Sequence, residues 1–499
     1  MSPKYWPREN PLLYEINTAA WLCELSQKLG RTVFLKDVPT EEWDRLKALG
    51  IDFIWLMGAW TRSQEGRQIS LNSPHFHETF QKILPSWTPE DIIGSGYSVQ
   101  AYTPDPLIGR WDDLDSVHRE LNRRGMGLIL DFIPNHTGID HHWLTEHPEY
   151  YIQGKEADYL KDPQAYFPVQ NERGTYYIAH GRDPNFPPWT DTAQLNYFNP
   201  DLRAAMIGRI REISRYCDGI RCDMAMLELN EVVQRVWGQA QTNGEKLPSQ
   251  EFWLQAIQEI PDLIYIAEAY WDTEWTLQQL GFDFTYDKRL YDRMRSGHPH
   301  DVYLHLTAGL DYQKKMVRFI ENHDELRSVM AFGRSKAPAV AVLSSTLPGM
   351  KLFFHGQWEG KQIHLPIQIR QCRMEKTDTQ IKAFYETLLA ALNEEIFHRG
   401  TWQLQEVSSD GDSSAENLIA HTWEMEGEMR LVLVNLNQHP ARGLLHLRKP
   451  VEESRDYSFT EIFSRQVFCV NGKRLVHPGV PVSLTGYQAQ IFKIRPVKY

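Results

Sequence analysis

The stretch LILDFIPNH, residues 128–136, is an apolar run of strand length that ends in polar residues. Three further stretches have the same form, namely DGIRCDMA at 218–225, LIYIAEAYW at 263–271 and VRFIENHDE at 317–325. Each run ends in Asp, Glu, Arg, His or Asn, residues that a protein core seldom accommodates. Strands that bring their polar ends to one place must be parallel, and parallel strands need crossover connections. The four stretches therefore predict a parallel sheet with one site at the carboxyl ends of its strands.

Helical crossovers can be read between these strands. The segment WDDLDSVHRELNRRG, residues 111–125, has apolar residues at helical spacing and Gly125 as a stop signal. Asn199 and Pro200 supply an N-cap and a first-turn proline for another helix, which leads into the strand before Asp223. Helices thus alternate with strands along the chain.

The repeated pattern predicts eight strands, near residues 12–16, 52–57, 127–133, 216–223, 263–268, 281–285, 316–321 and 350–355. Eight strand and helix repeats with polar groups at the carboxyl strand ends predict an α/β fold, a (β/α)8 TIM barrel with insertions. A doubly wound open sheet is the alternative fold, but its Gly-rich phosphate turn is missing from the sequence.

In this order and spacing, the four stretches resemble the four conserved regions of the α-amylase superfamily, glycoside hydrolase family 13. The segment GYSVQAY at 96–102 resembles the loop that leads into the first region, and TLPGMKLFFHGQWEG at 346–360 resembles the eighth strand and its exit. One such pattern is weak evidence for the family, whereas four patterns in the family's order, spread over nearly the whole chain, are specific evidence for it. The resemblance implies a retaining enzyme that acts on α-glucosidic bonds.

Glycosidic cleavage requires two carboxyl groups, one protonated and one ionised. The resemblance implies that Asp223 is the nucleophile and that Glu268 is the general acid and base. One repeat separates them, so they are predicted to lie on neighbouring strands. Arg221 shares a strand face with Asp223 and should keep it ionised. Glu268 is expected to have no such cation beside it, and its mostly apolar neighbours should raise its pKa.

The resemblance also implies the residues that bind the reacting sugar. Asp324 is similar to the family's third carboxylate, which contacts the 2- and 3-hydroxyls, and His323 is expected at the same hydroxyls. His136 is expected at the 6-hydroxyl, and Tyr97 is expected as the aromatic platform under the sugar. Arg221 completes the predicted substrate-binding group.

Two departures from the family leave the substrate and the metal open. Amylases that cleave within starch commonly carry Lys and His three and four positions after the nucleophile, where this chain has Met226 and Leu227. The family's calcium site uses an Asn and an Asp. The Asn corresponds to Asn135 here. The Asp comes from a segment that DTAQLN, 191–196, resembles, but this chain has Gln194 in its place. Because a hard cation prefers anionic oxygens, we expect no required cofactor, with calcium at Asn135 as the alternative.

The pattern divides the chain into three domains. Residues 1–136 and 201–400 are predicted to form the catalytic barrel, and 137–200, which lacks clear periodicity, is predicted to be an inserted domain B after the third strand. After a helix at 376–395, short alternating runs predict a C-terminal antiparallel β-sandwich at 401–499.

Composition limits the partners. The net charge of −12 argues against nucleic acid or an anionic membrane and suits a neutral α-glucan or oligosaccharide. The N-terminus lacks a signal-like apolar stretch and no run of about 18 apolar residues occurs, so we expect a cytoplasmic protein. The five scattered cysteines indicate neither disulfides nor zinc. The sequence leaves the oligomeric state open.

Three functions are consistent with these features. The favoured one is a retaining α-glucoside hydrolase that acts on α-1,4-linked glucans or malto-oligosaccharides through a covalent glycosyl-enzyme intermediate. The second is a transglycosylase or isomerase on the same scaffold, such as a glucanotransferase or a sucrose- or trehalose-active enzyme, because all share that intermediate. The third is a non-catalytic sugar-binding relative. Such relatives usually lose a catalytic carboxylate and carry a membrane anchor, and this sequence shows neither feature.

Overall fold

The computed structural model describes residues 8–238, 240, 245–447, 452–476 and 479–497. Residues 1–7 of the predicted barrel and residues 498–499 of the predicted C-terminal domain lie outside these ranges. Eight parallel strands close into a barrel in which each strand pairs with its sequential neighbours, and β1 pairs with both β2 and β8. They are β1 Leu12–Asn17, β2 Phe53–Met57, β3 Gly127–Phe132, β4 Gly219–Cys222, β5 Ile264–Ala267, β6 Phe284–Tyr286, β7 Met316–Arg318 and β8 Met350–Phe354. The predicted barrel is confirmed strand by strand.

Several strands end just before the polar residues that marked them in the sequence. Strand β4 ends at Cys222, which pairs with Ala267 at the end of β5. The backbone N–H of Asp223 donates to the carbonyl of Phe132 at 2.9 Å, and that of Glu268 donates to the carbonyl of Cys222 at 3.0 Å. The register therefore places Asp223 and Glu268 side by side at the carboxyl end of the barrel.

Helices surround the barrel and follow the capping signals of the sequence. Asn199 accepts hydrogen bonds from the N–H groups of Asp201 and Leu202, which begins the predicted helix at Pro200. The α-helices between and after the strands are Thr18–Leu29, Thr40–Ala48, Trp111–Arg123, Pro200–Ile213, Asn230–Trp237, Phe252–Glu259, Glu274–Gln279, Lys288–Ser296, Pro299–Leu306, Leu310–Gln313, Ser328–Ala331, Gly333–Thr346, Thr379–Leu392 and Ile396–Arg399. Short 3-10 turns occur at Leu35–Asp37, Pro89–Asp91, Pro148–Tyr150, Ala225–Glu228 and Ser413–Asn417.

Two excursions cover the carboxyl face of the barrel. The first follows β2 and was not predicted: it consists of strand Trp60–Arg62, helices Gln64–Asn72 and Pro74–Ile83, and strand Val99–Pro104. The second follows β3 in the predicted place of domain B and comprises His136–Gly138, Trp143–Glu146, Gln153–Gly154, Glu156–Lys161, Tyr166–Asn171, Gly174–Ala179 and Thr192–Gln194.

The alternating runs predicted an antiparallel β-sandwich, and the described part of the C-terminal region is an antiparallel sheet of eight strands. Its strands are β9 Thr401–Ser408, β10 Leu418–Met425, β11 Glu428–Asn435, β12 Ala441–His446, β13 Asp456–Glu461, β14 Val467–Asn471, β15 Val480–Leu484 and β16 Ala489–Pro496, with helix Gly472–Val476 between β14 and β15. Their order is β14-β13-β16-β11-β10-β9-β12-β15. Leu431, Phe459 and Phe492 belong to a core of its own, whereas Trp423 donates its indole N–H to the carbonyl of Thr346 at 2.6 Å and so joins the sheet to the barrel.

No helix in the described ranges is both long and apolar enough to span a membrane. The exact domain limits at 137, 200 and 400 stay a prediction.

Candidate active site

A cavity of about 440 Å³ opens at the carboxyl end of the barrel strands. Six of the seven residues predicted for catalysis and substrate binding line it, namely Tyr97, His136, Asp223, Glu268, His323 and Asp324. Arg221, the seventh, lies behind them with only 1% of its surface exposed. Asp324 is the outermost of the carboxylates, since 45% of its side chain is exposed. The structure thus brings all seven residues together from distant parts of the chain.

One guanidinium connects the two central carboxylates. Nη1 of Arg221 donates to Asp223 Oδ1 at 2.7 Å, and Nη2 lies 2.8 Å from Glu268 Oε2 in an ion pair whose angle is not that of a hydrogen bond. The expectation that Glu268 lacks a neighbouring cation is therefore wrong. Sequence neighbours did not reveal the contact because it crosses from β4 to the adjacent β5.

Aromatic rings enclose the same guanidinium. Its central carbon lies 5.2, 5.3 and 5.5 Å from the ring centroids of Trp55, Tyr97 and Tyr286, respectively. The Arg221 Nε–H also donates to the Tyr286 hydroxyl at 3.3 Å. Rings at this distance attract a cation and exclude water, so they fix the charge beneath the cavity and strengthen its pull on the carboxylates.

Glu268 is placed to carry a proton near neutral pH. Burial raises its pKa to about 7; the guanidinium of Arg221 opposes the shift, while the negative charge of Asp223 adds to it. Its Oε1 accepts a hydrogen bond from the Tyr270 hydroxyl at 2.6 Å, and its Oε2 accepts one from the Met224 N–H at 2.8 Å. These donors orient the carboxyl group and partly stabilise its ionised form.

Asp223 differs from Glu268 in how it meets the cation. Burial raises its pKa above the usual value for Asp, and the charge and hydrogen bond of Arg221 oppose that rise. Because a hydrogen bond to the ionised form favours ionisation, Arg221 promotes the charged state of Asp223 more directly than that of Glu268. Two carboxyl groups that contact one guanidinium titrate as a coupled pair.

His323 lies between two carboxylates, one of which the sequence did not predict. Its Nδ1 is 2.6 Å from Glu15 Oε1, and its Nε2 is 3.1 Å from Asp324 Oδ2. Burial disfavours the charged ring, but Asp324 and Glu15 outweigh it and raise the pKa of His323 to about 9. The cationic ring stacks on Tyr97 with centroids 5.2 Å apart. Glu15 could have been found by the rule used for the other strands, because it interrupts the apolar run LLYEIN of β1.

His136 is neutral and joins domain B to the barrel. Burial lowers its pKa to about 4. Its Nε2 lies 3.1 Å from the carbonyl of Tyr97, which fits a donating N–H, and its Nδ1 lies 3.2 Å from the amide nitrogen of Asn135. The ring of Trp189 approaches to 5.4 Å. His136 thus holds Tyr97 and Trp189 at one end of the cavity.

The residues at the predicted calcium position do not fit a calcium ion. Gln194 Nε2 donates to Oδ1 and to the carbonyl of Asn135, at 2.9 and 3.0 Å. An N–H donor therefore points at the oxygens that would have to bind the cation, and both side chains are uncharged. Within the described ranges no three His, Cys, Asp or Glu residues are grouped to hold a metal.

We expect chelation to leave the stability of this protein unchanged. The melting temperature, measured by scanning fluorimetry, should be the same with EDTA and with added calcium. Gln194→Asp introduces the carboxylate of the family pattern, so calcium should raise the melting temperature of that variant and not of the parent. A fall in the parent's melting temperature with EDTA that calcium reverses would show that Asn135 and Gln194 do accept the ion.

Met226 and Leu227 do not take part in the cavity. They are 0% and 5% exposed and belong to the main apolar core. Met224 lines the cavity instead, and its left-handed backbone, with φ of 45°, allows its N–H to reach Glu268. The departure from the starch-cleaving pattern therefore replaces polar side chains with core residues.

The chain is similar in sequence to proteins of known family. A family model described as the alpha amylase catalytic domain matches residues 39–416. The chain is 22% identical over 417 residues to alpha-amylase MalA of Haloarcula japonica, covering 81% of this chain and 53% of that protein. It is 24% identical over 312 residues to an alpha-glucosidase of Apis mellifera, covering 54% of each. The chain thus spans about half the length of these two relatives.

The fold comparison covers more of the chain. The noncanonic maltogenic alpha-amylase AmyB from Thermotoga neapolitana superposes with a TM-score of 0.69, 19% identity and coverage of 97% of this chain and 98% of that one. At this identity the likeness establishes the fold.

Proposed function

This chain belongs to the α-amylase family, and we propose that it is a retaining α-glucoside hydrolase acting on α-1,4-linked glucans or malto-oligosaccharides. The observation that carries the proposal is the contact of one guanidinium, that of Arg221, with both Asp223 and Glu268. A shared cation supports a carboxyl separation near the roughly 5 Å of retaining enzymes. The names of relatives, an alpha-amylase and an alpha-glucosidase, agree with this substrate class.

In the proposed reaction, Asp223 attacks the anomeric carbon while Glu268 gives its proton to the glycosidic oxygen, which leaves with the rest of the chain. The sugar is then joined to Asp223 by an ester bond. Glu268, now ionised, removes a proton from water, and the resulting hydroxide displaces Asp223 and restores both groups. The pKa of about 7 for Glu268 suits this exchange of roles.

The remaining residues are proposed to bind the glucosyl unit. Asp324, exposed at the cavity and 3.1 Å from His323, is placed to accept hydrogen bonds from ring hydroxyls, and cationic His323 to donate them. Tyr97 offers a ring face, and its hydroxyl has no hydrogen-bond partner among the described residues. His136 is proposed at the 6-hydroxyl.

We expect Tyr270→Phe to move the alkaline limb of activity to higher pH. The Tyr270 hydroxyl stabilises ionised Glu268, so its removal raises the pKa of Glu268 and keeps the acid protonated further into the alkaline range. The measurement is kcat/KM on maltotriose against pH. Tyr312→Phe serves as the control, because Tyr312 lies beside Trp275, outside the cavity lining. An unchanged limb in Tyr270→Phe would show that this hydroxyl does not tune the acid.

A product profile tests the function itself. Starch, pullulan, maltotriose, sucrose and trehalose should be compared, and maltoheptaose should be followed over time. A hydrolase yields glucose or maltose as the accumulating products. If only longer and shorter disproportionation products appeared, the hydrolase assignment would be withdrawn.

A transglycosylase on the same scaffold is the second candidate. Ile69, Phe76, Met224 and Ile367 give the cavity apolar walls, and such walls favour a sugar acceptor over water. Adding glucose to the maltoheptaose reaction measures the preference for a sugar acceptor over water, because a transferase forms new oligosaccharides at the expense of free sugar. A cytoplasmic location and the lack of nucleic-acid or membrane partners stay predictions from composition.

A further inference from the structure

The order of the barrel strands, together with the proposed roles of the site residues, indicates on which side of the cavity each part of a substrate would lie. In a ring of eight strands β5 is opposite β1. Glu268 follows β5 and must face the leaving oxygen, so the leaving part of the glucan lies towards β4 and β5. Because Asp324 and His323 after β7 are proposed at the 2- and 3-hydroxyls and His136 after β3 at the 6-hydroxyl, the non-reducing end of this sugar would point towards the remaining strands, β8, β1 and β2.

Two segments meet on that side of the cavity. We call them the end wall: residues 63–98, which follow β2, and residues 363–373, which follow β8. Ile92 and Ile369 form an antiparallel bridge. Backbone hydrogen bonds join the segments from Ile93 N to Gln368 O at 2.8 Å, from Arg370 N to Asp91 O at 3.0 Å and from Arg373 N to Ile83 O at 3.0 Å. The two segments are thus paired along several residues.

The end wall has its own apolar core. Phe80, Ile92 and Ile369 are completely buried there. The partly buried residues packed against them are Leu71, Phe76, Ile83, Leu84, Trp87 and Leu365. A cluster drawn from both segments resists separation, because opening the wall would return this surface to water. The wall is therefore a fixed part of the enzyme.

The inner face of the wall bounds the cavity. Ile69, Ser70 and Phe76 contribute from the first segment, and Ile367 and Gln368 contribute from the second. A glucan cut in its interior must continue past the reacting sugar in both directions. Here a glucan that extended beyond the non-reducing end of the reacting sugar would run into the paired backbone and packed side chains of the end wall.

We propose that this enzyme attacks α-glucans from their non-reducing end, with the terminal unit enclosed against the end wall and the rest of the chain leaving past Glu268. The inference rests on the proposed function and adds the cleavage mode. Its substrate class is any α-linked oligosaccharide with a free non-reducing terminus.

Two matched substrates test the mode of attack. One is p-nitrophenyl α-maltoheptaoside, and the other is the same compound with its terminal 4- and 6-hydroxyls joined by an ethylidene group. We expect the free compound to be shortened from its non-reducing end, and the capped compound to react roughly 100-fold more slowly, because the cap cannot fit against the wall. Chromatography of the products identifies the bond that is cut.

The outcomes separate the two proposals. Equal cleavage of both compounds at internal bonds would overturn attack from the end and leave the hydrolase intact. Cleavage of neither would overturn the hydrolase and, with it, the mode of attack. Cleavage of the free compound alone supports both.

A variant of the wall gives an independent readout. Phe76→Ala removes a ring that faces the cavity and should raise the rate on the capped compound relative to the free one. Glu78→Ala, at an exposed position of the same helix, should leave that ratio unchanged. If the ratio of the rate on the capped compound to that on the free compound is unchanged in a folded, active Phe76→Ala protein, the end wall does not enclose the terminal unit as proposed. If the variant does not fold, the wild-type comparison still decides the proposal.

Discussion

Asp223→Asn should lower kcat/KM on malto-oligosaccharides by about 10⁴-fold or more, because an amide cannot form the covalent intermediate. The substitution keeps the shape of a side chain that accepts a hydrogen bond from Arg221 at 2.7 Å. Steady-state kinetics on maltotriose measure the loss. Activity near the wild-type level on every glucan tried would overturn the covalent mechanism.

Two controls separate chemistry from folding. Asp112→Asn makes the same chemical change at an exposed position of helix Trp111–Arg123 and should leave kcat/KM unchanged. Asp223→Gly opens space at the proposed nucleophile, so added azide should restore turnover of an activated α-glucoside and form the β-glucosyl azide. A variant with a normal melting temperature that azide does not rescue would place the nucleophile elsewhere.

Glu268→Gln should have the second largest effect, about 10² to 10⁴-fold in kcat on malto-oligosaccharides, the usual contribution of a general acid. Formation of the intermediate from α-glucosyl fluoride should suffer much less, since fluoride leaves without a proton. Glu259→Gln, an exposed position on helix Phe252–Glu259, is the control. An equal loss on both substrates would show that Glu268 is not the proton donor.

The same residue sets the expected pH dependence. Glu268 has a pKa raised to about 7, so its proton is present below that pH and is lost as the pH rises through it. Wild-type kcat/KM should therefore fall above about pH 7. In Glu268→Gln this alkaline limb should disappear from the residual activity, and its persistence would assign the limb to another group.

Local sequence was sufficient for the barrel and for the seven residues predicted to form the site. A short apolar run predicts a buried strand, and apolar residues at helical spacing with capping residues predict a helix. All eight strands and the helix after Asn199 could therefore be predicted from the sequence. The polar residues at the strand ends could be assigned to one site because parallel strands share an edge. Glu15 was not predicted, although it interrupts the apolar run of β1.

Side-chain contacts between different strands could be identified only from the closed barrel. Arg221 reaches Glu268 across neighbouring strands, and Glu15 meets His323 across 308 positions of sequence, because closure places β1 beside β8 and near β7. No local pattern records such a meeting. The contact of Gln194 with the Asn135 oxygens depends in the same way on how domain B folds back.

The sequence by itself thus determined the barrel and the family, and it predicted seven side chains that the structure brings together, since each of these patterns depends on residues near one another in the chain. The tertiary structure alone decided the charge environment of Glu268 and the end wall at 63–98 and 363–373. Both arise from groups far apart in sequence, whose approach depends on packing and barrel closure.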